Sequence, residues 1–173
     1  MNISYCDAAP ADAPILENVF RRAFVETFGH LYRPEDLDFF LVRMDEAAWR
    51  GELADPAFRI RLAEVDGMAA GLAKLGPLGL PVAPEGKALE LKQLYLLREW
   101  HGCGIAPVLM DWTIDQARLQ GAEQLYLSVW TQNDRARAFY ARYGFTFVAP
   151  YAFMVGEQAD EDEIWRLDLK GEQ

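Results

Sequence analysis

The chain has 173 residues, 51% hydrophobic and 25% charged, which suits a single folded domain with a full core and excludes a disordered chain. Twenty-seven acidic against seventeen basic residues leave a net charge of −10. That argues against nucleic-acid binding and suits either attraction of a cationic substrate or plain solubility. No apolar run reaches membrane-spanning length and no secretory pattern opens the chain. Two cysteines and two histidines make neither a disulfide scaffold nor a zinc site. A reduced, cytoplasmic protein with no metal and no membrane partner is expected.

In chain order, Ile3 to Cys6 reads as a short strand. Asp12 can cap a helix in which Ile15, Leu16, Val19, Phe20, Ala23, Phe24 and Phe28 recur at helical spacing. Pro34 fits the first turn of a second helix carrying Leu37, Phe40, Leu41 and Met44, and a third starts at Asp45 with Trp49 and Leu53. Phe58 to Glu64 and Met68 to Leu75 read as a hairpin turning at Asp66-Gly67. Gly76 to Gly86, rich in proline and glycine, is a loop. Ala88 to Leu97 is the next strand and Ile105 to about Gln120 a helix stopped by Gly121. Gln124 to Trp130 is a strand, a short helix around Tyr140 follows, and Phe145 to Val148 and Ile164 to Leu169 are the last strands. The cluster Asp160-Glu161-Asp162-Glu163 reads as a solvated loop. The order predicts an α/β domain around a mixed sheet.

His101-Gly102-Cys103-Gly104-Ile105-Ala106 carries the chemistry. A strand feeding a glycine turn into a helix N-terminus makes an anion cradle, because glycine lets the backbone approach and the free N–H groups and helix dipole favour negative charge. A P-loop needs Gly-Lys-Ser/Thr, but Ile105 follows Gly104. A dinucleotide fingerprint needs a third small residue where Pro107 stands. A glycine turn with no ligand remains open on these residues alone. Downstream, Asn133 or Asp134 can cap a short helix through Ala136, Phe139, Tyr140 and Tyr143, which Gly144 ends before Phe145.

Together the two motifs resemble the GNAT superfamily of acyl-CoA N-acyltransferases, whose first motif, Arg/Gln-x-x-Gly-x-Gly/Ala, aligns with His101, Gly104 and Ala106. The second aligns with Asn133, Ala136, Tyr140, Gly144 and Phe145. The resemblance implies the GNAT fold: a mixed, mostly antiparallel sheet of six to seven strands flanked by helices and splayed at the acyl-CoA site. It implies acetyl-CoA as co-substrate and a small amine as acceptor, and it admits a homodimer. A thinner likeness, carried by Phe24 to Phe28, Val129-Trp130, Gly156 and Asp162, is to bacterial polyamine N-acetyltransferases described as sporulation and protease-synthesis regulators. Acetylation of a protein N-terminus, a lysine or an aminoglycoside, or acyl-CoA sensing without turnover, are the alternatives.

Acyl transfer needs a neutral amine. A lysine-like amine of pKa about 10.4 costs about 4.6 kcal/mol to deprotonate at pH 7, so a base is useful. The resemblance implies that Gly102, Cys103, Gly104, Ile105 and Ala106 hold the pyrophosphate through their N–H groups. His101 stands where the family has Arg or Gln, and Pro107 lacks an N–H. The backbone of Leu94, Tyr95 and Leu96 would pair with the pantetheine and supply an oxyanion donor, and Asn133 would bond the pantetheine. Tyr140 is the expected general acid at the thiolate. The expected base is Glu90 or a water chain, since the alternative family position is held by Ser128, which cannot serve as a carboxylate base; a surface pair with Lys92 is the plain structural reading of Glu90. Glu26, Tyr32 and Asp36 are candidates for contacting a cationic acceptor.

Overall fold

The computed structural model describes residues 1–170. The chain runs β1 (Ile3–Asp7), α1 (Ala13–Phe28), α2 (Pro34–Val42), α3 (Glu46–Ala54), β2 (Arg59–Val65), β3 (Met68–Pro77), β4 (Ala88–Leu96), α4 (Ile105–Leu119), β5 (Gln124–Trp130), α5 (Asp134–Arg142), β6 (Thr146–Val155) and β7 (Gln158–Asp168). The strands form one sheet in the order β1-β2-β3-β4-β5-β7-β6. Every neighbouring pair is antiparallel except β4 and β5. This is the architecture that the resemblance implies.

Strand alternation decides which helix covers which face. On β2, Ile60 and Leu62 join the cluster of α1 and α3, built on Leu16, Val19, Phe20, Phe24 and Trp49, while Ala63 and Val65 join that of α4, built on Ile105, Leu109, Met110 and Ile114. The helical stripe of α1 is thus buried at Leu16, Val19, Phe20, Ala23 and Phe24, while Ile15 is exposed and Phe28 half-buried; each large buried side chain contributes about 1.5–3 kcal/mol. The β2–β3 turn has Asp66 at φ 50° and Gly67 at φ 79°, the left-handed pair that suits a two-residue hairpin.

Two features position the site. First, β4 and β5 pair only at Ala88–Gln124, Leu89–Leu125 and Glu90–Tyr126, then diverge. Just beyond, Lys74 and Leu75 of β3 face Gln93 and Leu91, so Lys92 is an extra residue whose bulge bends β4. From Leu91 onward the β4 edge toward β5 has no strand partner among the described residues. Second, the end of the chain departs from expectation. β6 and β7 are long strands of one hairpin, turning at Gly156 (φ 58°), and β7 lies between β5 and β6. The acidic run Asp160–Glu163 is therefore strand, not solvated loop. Its charge hides its propensity, but β6 pairs with all four residues and β5 with Asp162 and Glu163, and tertiary pairing overrides composition.

Candidate active site

The divergence of β4 and β5 opens a cavity of about 650 Å³. Its floor at one end is the glycine turn. Gly102 and Gly104 sit at φ 79° and 81°, a conformation that strains any other side chain. Gly104 is the N-cap of α4 and no side chain caps that helix, so its first-turn N–H groups stay available for an anion. A Cβ built at either glycine meets nothing within 4 Å, so the space before the cradle is open, and these residues fit a pyrophosphate. His101, Gly102, Gly104, Ile105, Ala106 and Pro107 line the cavity; Cys103 does not.

His101 differs from a phosphate ligand of fixed charge. Its Nε2 donates to the Leu96 carbonyl at 3.1 Å, and its Nδ1 accepts from the Arg135 guanidinium. Burial, reinforced by Arg135 and Arg98, lowers its pKa, so the ring is neutral at pH 7. Arg135, in the first turn of α5, lines the cavity beside the cradle. The motif names no role for this arginine, but it supplies the cation that position 101 lacks.

Leu94, Tyr95 and Leu96 line the cavity along the β4 edge, each pairing with β3 on the other side. Facing them is α5. Asn133 caps it by accepting from the Ala136 N–H at 3.2 Å, and Gly144 at φ 95° ends it. These caps orient Tyr140 into the cavity between Phe139 and Phe145, with ring centroids at 5.6 and 5.8 Å. Burial pushes the Tyr140 phenol up, and its hydroxyl makes no hydrogen bond among the described residues. The Tyr143 hydroxyl reaches the Pro107 carbonyl (3.2 Å) and the Asp111 carboxylate (3.1 Å), tying α5 to the helix that bears the cradle. Its pKa is pushed up to about 12, by burial first and by Asp111 second.

The other end of the cavity is aromatic and acidic. Phe24, Phe28, Tyr32, Phe40 and Phe153 wall it, and Asp160 and Asp162 enter from alternate positions of β7. Tyr32 donates to Asp160. Asp162 as a residue is 8% exposed, its carboxylate faces the cavity, and no hydrogen bond to it forms among the described residues. Burial, then the charge of Asp160, raises its pKa to about 7.

The expected acceptor residues divide. Tyr32 lines the cavity; Glu26, Asp36 and Glu90 do not. Glu26 accepts from the Arg98 N–H at 2.8 Å and joins α1 to the turn after β4. Asp36 accepts from the Glu157 N–H at 2.9 Å and from Arg33 at 3.0 Å, and these bonds, in that order, hold its carboxyl below the ordinary range. It fastens α2 to the β6–β7 turn. The Glu90 carboxylate accepts from the Gly79 N–H at 2.8 Å and from Lys92 at 3.1 Å, so its lone pairs face the proline-rich loop. Asp160, Asp162 and Arg135 line the cavity although the sequence reading assigns them no place in the site, Asp162 entering it only through a family likeness. The alternation of Asp160, Asp162 and Ile164 was the available signal, and the density of charge masked it.

The sequence profile described as the acetyltransferase (GNAT) family matches residues 16–145. An uncharacterized N-acetyltransferase from the pepI 3′ region of Lactobacillus delbrueckii subsp. lactis is 31% identical over 162 residues, 91% of this chain and 92% of that protein. An uncharacterized N-acetyltransferase of Mycobacterium tuberculosis is 31% identical over 159 residues, 91% and 98% of the two chains. Among solved structures, the PaiA N-acetyltransferase of Thermoplasma acidophilum, crystallised with coenzyme A, superimposes with a TM-score of 0.78 at 19% identity, covering 97% of this chain and 99% of the other. The ribosomal-protein-S18-alanine N-acetyltransferase of Escherichia coli does so at 0.71 and 16%, over 99% and 97%. These two share the fold under different names, so the fold does not select the acceptor. The chain belongs to the acetyltransferase (GNAT) family.

Proposed function

We propose that the protein transfers an acetyl group from acetyl-CoA to a primary amine, with Tyr140 as general acid, and that a small polyamine such as spermidine is an acceptor. The observation that carries the reading is the placement of Tyr140: a phenol with no hydrogen-bond partner among the described residues lines the same cavity as the glycine cradle. When bound, acetyl-CoA supplies a thioester as the acyl donor. The N–H groups of Gly102, Cys103, Gly104, Ile105 and Ala106 hold its pyrophosphate, and Arg135 adds a fixed positive charge. The unpaired edge of Leu94, Tyr95 and Leu96 hydrogen-bonds the pantetheine, and an N–H of that edge stabilises charge on the thioester oxygen. Asn133 lines the path of the pantetheine. Tyr140 gives its proton to the leaving sulfur. The raised pKa suits this task, since the phenol stays protonated until a thiolate appears.

The acidic surface and the two carboxylates of the cavity support a cationic acceptor. The test is release of free coenzyme A with spermidine. Tyr140→Phe removes the hydroxyl alone, and turnover should fall about 10²–10⁴-fold while acetyl-CoA affinity by calorimetry is unchanged. Near wild-type turnover at saturating substrates refutes the role of Tyr140.

A further inference from the structure

We propose that Asp162 receives the acceptor: its carboxylate binds the ammonium of an alkylamine whose stem lies among Phe24, Phe28, Tyr32, Phe40 and Phe153, and it takes the ammonium's proton. The inference rests on the acetyl transfer proposed above and assigns the proton acceptor, which the carboxylate of Glu90, bound by Gly79 and Lys92, does not supply.

Four observations carry it. Asp162 lines the cavity, is 8% exposed, and has no hydrogen-bond donor among the described residues. A carboxylate that faces a cavity with no donor of its own is placed to take one from a ligand. The titratable groups that face it are Asp160 on its own strand, Tyr32 before α2, Tyr95 on β4 and Tyr151 on β6. None of them is a cation, so the missing counter-charge is left to the ligand.

The second observation is register. Asp162 pairs with Trp130 at the last residue of β5, where the sheet has opened. The third is coupling: Tyr95 feels both Tyr140 and Asp162, so the acid and the carboxylate act on one region of the cavity. The fourth is the wall. Phe24 and Phe40 lie 4.7 Å apart, Phe40 and Phe153 5.7 Å, and Phe24 and Tyr32 stack at 6.0 Å. Rings around a carboxylate suit an alkyl stem ending in an ammonium. The Tyr32–Asp160 bond holds the neighbouring carboxylate in place, and its charge makes Asp162 the stronger base. At about 7, Asp162 is about 10³-fold more basic than an aspartate of ordinary pKa near 3.9.

The protons balance. Asp162 takes one proton from the ammonium, giving a neutral amine. The C–N bond forms and the C–S bond breaks. Tyr140 gives its proton to sulfur and regains one from the nitrogen, and Asp162 releases its own to solvent. Ammonium and thioester become amide, thiol and one proton.

The experiment is the pH dependence of kcat/KM for spermidine, from about pH 5.5 to 9, in wild type, Asp162→Asn and Asp162→Glu, with acetyl-CoA binding and melting temperature measured alongside. The wild type should show a limb rising through about pH 7, because the carboxylate must be ionised to act. Asp162→Asn should lose that limb and about 10²–10³-fold of kcat/KM at pH 7, with unchanged acetyl-CoA affinity, and Asp162→Glu should retain the limb. Asp162→Asn should also melt higher than wild type at about pH 8. Folding raises the pKa of this carboxyl, so it weakens the fold as pH climbs from about 4 through 7, and the amide removes that loss. A purely structural aspartate would instead destabilise at every pH when replaced. A wild-type profile without the limb, or an Asp162→Asn profile that keeps it, overturns the proposal while leaving acetyl transfer intact. A wild type that releases no coenzyme A with spermidine, n-butylamine or 2-phenylethylamine overturns both readings.

Discussion

Gly156→Ala should loosen the aromatic wall of the cavity from a distance. Gly156 turns the β6–β7 hairpin at φ 58°, where an added Cβ would lie 2.3 Å from Asp36 Oδ1 and 2.7 Å from Asp36 Cα. The second contact is backbone, so no rotamer change relieves it and the N-terminus of α2 must move. The left-handed conformation costs alanine about 1–2 kcal/mol. Movement of Asp36 also weakens its bonds from the Glu157 N–H and from Arg33. The overpacked contact with the Asp36 backbone costs about 1–2 kcal/mol more, and the Arg33 pair adds little because Arg33 is exposed. The total is about 2–4 kcal/mol, or a melting temperature lower by about 5–15 °C at this chain length. Because α2 carries Phe40, the KM for the amine should rise severalfold. The cradle lies on α4, so acetyl-CoA affinity should hold. Thermal denaturation and a two-substrate kinetic analysis read the two effects separately. A variant melting within about 1 °C of wild type with unchanged amine KM would refute the reasoning. The clasp has a pH signature as well: the Asp36 pKa is depressed by folding, so its stabilisation is present above the ordinary carboxylate range and is lost as pH falls through the lowered value.

Gly104→Asp sets a side chain and a negative charge at φ 81° in the mouth of the cradle. Acetyl-CoA affinity should fall at least about 100-fold, and calorimetry that finds it unchanged removes the cradle assignment. Arg135→Ala should weaken acetyl-CoA binding about 5–20-fold at low salt and less at high salt, since an exposed charge is screened. A loss independent of ionic strength would show that Arg135 acts by packing rather than by charge.

How much of this was legible in the sequence follows the range of the interactions. The glycine turn at 102 and 104, the Asn133 cap, the Gly144 stop, the Asp66-Gly67 hairpin and the apolar stripe of α1 rest on backbone conformations and spacings within a few residues. Their chemistry is written locally, and so the cradle and the helix bearing Tyr140 were readable before any contact was known. The acceptor end was not. Asp162 looks like surface charge until its strand is inserted between Trp130 and Tyr151. Asp36 and Glu26 look available until Glu157 and Arg98 occupy them. Glu90 sits on the right strand, but its carboxylate is bound by a loop glycine eleven residues earlier and by Lys92. Burial, the partner a carboxylate finds and the side of a sheet it faces are properties of residues far apart in the chain. The amino-acid order therefore determined the backbone conformations of the glycine turn and of the α5 caps, and tertiary pairing alone decided which carboxylate lines the cavity without a hydrogen-bond partner among the described residues.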